Sequence, residues 1–171
     1  ADRTPHVSAM LSEIYYSMGH LAFAQRYAFE ANELFGGRSP RMLQMLVKTN
    51  IAYGSYAVAE KYINILSKTR YKEWAEQKRA LLYDDKAVLA DKELGSKRRC
   101  IFPDNRFSGI KGIDNDLKHV LAANPDHKIT LSYLKALYIL NGEQEKLNHL
   151  SIDDEEEQDA KMDESAASTV L

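Results

Sequence analysis

The sequence predicts an all-α fold: antiparallel helical hairpins packed one on the next, about eight or nine helices in all. Three observations carry this. Apolar residues recur at spacings of three and four over most of the first 150 positions. The chain has 4 Pro and 8 Gly, too few for many short strands joined by turns. One pattern also occurs twice between Leu11 and Leu66. Its first copy reads Leu11, Tyr15, Gly19, Ala24, Tyr27, Ala31 and its second Leu46, Asn50, Gly54, Ala59, Tyr62, Leu66, with a constant offset of 35 residues.

Each element has a local reason. Thr4-Pro5 is an N-cap followed by a first-turn proline. Val7, Met10, Leu11, Ile14, Tyr15 and Met18 then lie on one helical face, and Gly19-His20 ends it. The second helix carries Leu21, Ala24, Tyr27, Ala28, Ala31 and Leu34 and stops at Gly36-Gly37. Ser39-Pro40 restarts the theme, with Met42, Leu43, Leu46, Val47, Asn50 and Ile51 on helix three. After Gly54-Ser55, helix four carries Tyr56, Ala59, Tyr62, Ile63 and Leu66. Small Ala24 and Ala59 let helix axes approach, while large Leu46 and Tyr62 fill the spaces between.

A fifth helix is expected over residues 70–83, with Trp74, Leu81 and Leu82 in the core, and a short sixth, capped by Asp84, from Asp85 to Leu94. Gly95 to Gly112 reads as one long irregular stretch, with Ile101, Phe102 and Phe107 packed on the body. A helix from Ile113 through Leu121 follows, then a break at Asn124-Pro125-Asp126 and a helix with Leu134 and Tyr138 up to Gly142. A last short helix is expected over 143–150. The organisation is thus a helical-repeat domain, 1–150, with clear repeats at 5–67, a degenerate middle at 70–112 and a partial repeat at 113–150. An acidic tail, 151–171, comes after it.

Charge separates that tail from the body. Residues 153–164, DDEEEQDAKMDE, carry eight acids and one Lys, so an overall net charge of −2 leaves +5 on the rest. A balance so mildly basic does not point to nucleic acid. The tail is expected to be solvated rather than folded onto the body. Thr169-Val170-Leu171 also fits a generic C-terminal capture motif, a match of three residues only. With one cysteine, Cys100, no internal disulfide can form. No apolar run approaches the roughly 20 residues of a membrane span. The chain begins with Ala1 rather than Met, which suggests a piece of a longer protein.

The repeat resembles the tetratricopeptide repeat, a helix–turn–helix unit of ~34 residues. Its carriers here are Leu11, Ser12, Tyr15, Gly19, Ala24 and Ala31 in the first unit, Leu46, Gly54 and Ala59 in the second, and Leu134, Tyr138 and Gly142 in the third. Ser8 stands where the family has an early Trp, Asn50 where it has Tyr, and Leu66 where it has the last Ala. The resemblance implies a short right-handed solenoid whose concave face is lined by the first helix of each pair. On that face would stand Glu13, Tyr16, Arg41, Gln44 and Lys48, either as a peptide groove or as a solvated helix surface. Some relatives clamp a terminal carboxylate with Lys and Asn. Ala9, Glu13 and Met45 occupy those places here, which disfavours that role.

A second resemblance rests on the runs SEIYYSMGHLAFAQRYAFEA, AVAEKYINILSKTRYKEWA and NPDHKITLSYLKALYIL. They look like the C-terminal helical region of an uncharacterised family of Bacteroidetes polytopic membrane proteins. It implies the soluble end of a larger protein tethered to the bacterial inner membrane, on a side left open. It brings no activity.

Catalytic signals are weak. Lys97, Arg98 and Arg99 precede Cys100, so the stretch reads as an anion contact, as an activated thiolate, or, most economically, as a solvated basic loop with an ordinary thiol. The five histidines (6, 20, 119, 127, 149) show no HxxxH spacing, so zinc is not expected. In DNRFSG, Arg106 stands at what would be a calcium-ligand position. No phosphate-binding glycine loop or G-x-S-x-G is present. Asp84-Asp85 fits capping, and Asp153-Asp154 belongs to the tail. The expectation is a non-catalytic protein- or peptide-binding scaffold with no metal and no cofactor. The alternative is an accessory domain that positions a catalytic or transport region encoded upstream.

Overall fold

A computed structural model describes residues 4–102 and 112–150. The acidic tail 151–171 lies outside the described residues, as do Arg106, Phe107 and Lys111. Contacts divide the chain into two units, Ala1–Thr130 and Leu131–Leu171. Among the described residues the protein is all-helical, with no strand. The helices are α1 (Pro5–Ser17), α2 (Leu21–Leu34), α3 (Pro40–Ala52), α4 (Tyr56–Leu66), α5 (Lys72–Arg79), α6 (Asp85–Ala90), α7 (Lys92–Arg99), α8 (Ile113–Ala123) and α9 (Lys128–Asn141). A further helical segment covers 144–150. No helix among the described residues is long and apolar enough to cross a membrane.

In the first unit, α1 packs on α2, α2 on α3, α3 on α4 and α4 on α5. The 35-residue period is visible in the details. Thr4 and Ser39 each accept a hydrogen bond from the backbone N–H three residues on, at 3.4 Å, with Pro5 and Pro40 next in sequence. Gly19 and Gly54 both hold positive φ, +81° and +73°. The next residue in each turn donates back to the closing helix, His20 N–H to the Tyr15 carbonyl at 2.9 Å and Ser55 N–H to the Asn50 carbonyl at 2.8 Å.

Two apolar clusters form the core. One joins α1, α2 and part of α3 around Tyr15, Phe23, Tyr27, Met42 and Leu46. The other joins α3 through α7 around Leu43, Ile51, Ile63, Leu66, Val88 and Leu94. Ala24 and Ala59 are fully buried, as their spacing role requires. Trp74, Leu81 and Leu82 pack on the second cluster from its edge, half-buried.

The expected irregular stretch from Gly95 is the main correction. Helix six ends at Ala90 instead of reaching Leu94, and α7 begins two residues later. Asp91 makes the break. Its carboxylate caps the new helix by accepting from Glu93 N–H at 3.0 Å and Leu94 N–H at 2.8 Å. This split takes the described helices to ten, beyond the eight or nine expected. Gly95 is no helix breaker. A Cβ there would lie 2.3 Å from the Leu89 carbonyl oxygen, so the missing side chain lets α7 lie directly on the end of α6.

α8 is tied to the start of α2 by a buried pair. His20 Nδ1 accepts from Phe23 N–H at 3.3 Å, so its Nε2–H donates to Asp116 Oδ2 at 2.8 Å. The imidazole stacks on Phe23 with ring centroids 4.2 Å apart. In the second unit, Leu134 and Tyr138 are buried on α9, and Lys146 places its ammonium 5.5 Å from the Tyr138 ring centre. Gly142, at φ +69°, ends α9 as the sequence indicates.

Candidate functional site

The five residues expected on the α1–α3 face divide into two groups. Glu13 and Arg41 form a bidentate ion pair between α1 and α3, and Gln44 is half-buried beside them. Tyr16 and Lys48 lie under α7. The Tyr16 ring is only 7% exposed, and its hydroxyl donates to Glu93 Oε1 at 2.9 Å. Lys48 donates to the same oxygen at 2.8 Å and stands 4.8 Å from the Tyr16 ring centre. Burial, followed by the charge of Glu93, pushes the Tyr16 hydroxyl above its ordinary range. Burial pushes Glu93 up, but Lys48, the Tyr16 hydroxyl and Lys78 outweigh it and hold the carboxylate below its usual value.

The basic run before Cys100 is not a solvated loop, which corrects the second expectation for this segment. Lys97 is 7% exposed and donates to the Ser17 carbonyl at 3.3 Å. Arg98 donates to the Ala52 carbonyl at 3.0 Å, to Tyr56 Oη at 3.1 Å and to Asp85 Oδ1 at 2.8 Å. Ser17 and Ala52 are the last residues of α1 and α3, 35 positions apart. Consecutive cations of α7 therefore neutralise the exposed carbonyl ends of two equivalent helices. Cys100 closes α7 against the first turn, fully buried, and donates to the Ser96 carbonyl at 3.4 Å. Burial pushes its thiol up against the pull of Asn124, Lys97 and Arg99, so the structure does not support an activated thiolate there.

What remains open is a groove on the other side of the hairpins. α2 and α4 form its walls and α3 its floor, around a cavity of about 770 Å³. Ala22, Gln25, Arg26 and Phe29 face it from α2, and Ser55, Val58 and Tyr62 from α4. Leu46, Asn50 and Tyr53 lie beneath. Phe29 is 52% exposed and Val58 39%, high for apolar residues on well-packed helices. Asn50 is held by a bond from its amide to the Leu46 carbonyl at 2.7 Å, and burial pushes the Tyr53 hydroxyl up to about 12. The first-helix face hid this groove from sequence reading. The sequence signal is slight: Ala22 and Phe29 are apolar at i and i+7 on α2, but Gln25 and Arg26 between them are polar, beside the apolar core stripe of 24, 27, 28 and 31.

The groove holds no paired nucleophile and base, and among the described residues no three His, Cys, Asp or Glu side chains are grouped to hold a metal ion. Fold and site together define a protein that is all-helical among the described residues, with a cap-and-glycine pattern repeated at 35 residues and an open interhelical groove. The chain belongs to the Family of unknown function (DUF6057), whose model matches residues 1–167. No curated protein and no solved structure matches it.

Proposed function

We propose that this chain is a non-catalytic scaffold that binds a protein segment in the groove between α2 and α4. The observation that carries the reading is the groove itself: Phe29, Val58 and Tyr62 on its walls over a polar floor of Asn50 and Tyr53. Such a site takes an apolar side chain between its walls and satisfies peptide backbone from its floor. The common period of caps and turns supports a tetratricopeptide-like stacking, a type of array that works as a binding surface. We place the domain at the end of a longer membrane-tethered protein on the strength of the three runs that resemble Bacteroidetes membrane proteins.

Panning a random peptide library on the folded chain tests this. The expected result is a consensus with one dominant apolar position and affinity reduced at least about tenfold by Val58→Asp. Enrichment no better than on the Val58→Asp protein would end the proposal. Loss of binding with Gln44→Asp, and not with Val58→Asp, would move the seat to the α1–α3 face.

A further inference from the structure

The segment after α8 is fastened to the first turn of the chain through a buried imidazole. Lys97, His127 and Thr130 are all sheltered from solvent. Lys97 Nζ lies 3.1 Å from His127 Nε2. Nδ1 of the same ring lies 2.6 Å from Thr130 Oγ1, which is in turn 2.6 Å from the Met18 carbonyl oxygen. An ammonium can only donate, so Nε2 accepts. The ring proton then sits on Nδ1 and is given to Thr130 Oγ1, which at 2.6 Å is much nearer than the Thr130 backbone N at 3.4 Å, and Thr130 gives its own to Met18. Every link in this relay runs in one direction, and the first, from Lys97 to the Nε2 lone pair, needs the imidazole neutral. A second proton on the ring has a single place to go, the Nε2 lone pair that faces the Lys97 ammonium.

We propose that His127 is an acid-opened latch: protonation at Nε2 turns its bond with Lys97 into a repulsion and releases residues 126–130 from the α1–α2 turn. The surroundings favour this outcome. From α7 the ring meets Lys97, and Lys92 and Glu93 stand on the wall of the same cavity of about 510 Å³. Glu93 is engaged by Lys48 and Tyr16. The chain neighbours of His127, Asp126 and Lys128, line the cavity with opposite charges. The α1–α2 turn offers the uncharged Ser17 and Met18 carbonyls, and from the end of α8 comes the Asn124 carbonyl, which accepts from His127 N–H at 3.1 Å. Burial, and then the Lys97 charge, push the imidazole down to about 4 from its ordinary 6.5. A depressed histidine contributes stability that is whole above the unfolded value and is lost as pH falls through the folded one. The latch therefore has its full hold above 6.5 and loses this contribution as pH falls to 4.

Hydrogen exchange on the full chain, corrected for intrinsic rates, reads this directly. In the wild type, opening of 126–130 is expected to grow about tenfold per pH unit between 6.5 and 4. The α3–α4 turn, 52–56, is held by Arg98 and no histidine, and should stay closed. His127→Gln can keep both hydrogen bonds and cannot titrate, so its 126–130 segment should lose the pH dependence. Lys97→Met should move the imidazole titration, followed by NMR, up toward 6.5. Wild-type pH dependence in His127→Gln would overturn the proposal. So would opening of 52–56 in step with 126–130, or a wild-type His127 that titrates near 6.5. This last measurement needs no variant to fold.

Discussion

The α1–α2 turn and the α3–α4 turn have the same local chemistry and different surroundings. Each has a left-handed glycine, a backbone bond back to the closing helix and a cation from α7 on the last helical carbonyl. At Gly54 the neighbour is the guanidinium tip of Arg98, 3.1 Å from where a Cβ would stand. At Gly19 it is packed core: Val120 Cγ1 at 2.9 Å and Cys100 Sγ at 3.0 Å. The second turn is clasped by the polar tip of one side chain, the first is built over by α7 and α8. A sequence repeat therefore conserves how a turn is made but does not specify what packs on it.

Removing the element that serves both turns should have the largest effect. Gly95→Ala drives a methyl into the Leu89 carbonyl and lifts α7 from α6. A loss of about 3–5 kcal/mol is expected in urea unfolding at neutral pH. A loss under about 1 kcal/mol would show that α7 is not seated on that backbone.

The turns themselves come next. Gly19→Ala combines left-handed strain with overpacking against Val120 and Cys100, for about 2–4 kcal/mol. Gly54→Ala carries the strain alone, about 1–2 kcal/mol, because the Arg98 guanidinium can shift. Equal losses in the two variants would erase the distinction between a packed turn and a clasped one. The smallest effect is expected from Arg98→Met. It removes the bonds to Ala52, Tyr56 and Asp85, groups that water can reach in part, and should cost about 1 kcal/mol. Its coupling energy with Gly19→Ala in a double-mutant cycle should be close to zero if the turns are independent.

The parts of the fold legible in the sequence are those made by neighbours in the chain. Thr4-Pro5 and Ser39-Pro40 announce helix starts because a side-chain oxygen reaches an N–H three residues on. Asp84 was readable for the same reason and does cap α6, accepting from Ala87 N–H at 3.0 Å. Asp91 obeys the same rule, but Gly95 four residues later disguised it. In sequence a glycine signals a break, and only the Leu89 carbonyl beside it shows that here it makes room. The candidate site was less legible. The sequence suggests an open first-helix face for Tyr16 and Lys48, but nothing local says that Glu93, at a distance along the chain, comes to lie on them. The groove residues Phe29 and Val58 stand among polar neighbours, Gln25 and Arg26 on α2 and Ser55 before α4, so no second apolar stripe marks them in the sequence.

By itself the sequence determined an all-helical protein, the position of most helix ends and the 35-residue spacing of two equivalent turns. These follow from periodicity, caps and glycine conformations, all interactions within a few residues. Only the tertiary structure decided where α7 lies, that Lys97 and Arg98 close two helix ends instead of meeting solvent, and which side of the hairpins stays open. The reason is physical: whether a lysine is buried against a carbonyl or left in water depends on what a distant segment covers, and that is fixed by packing across many residues at once.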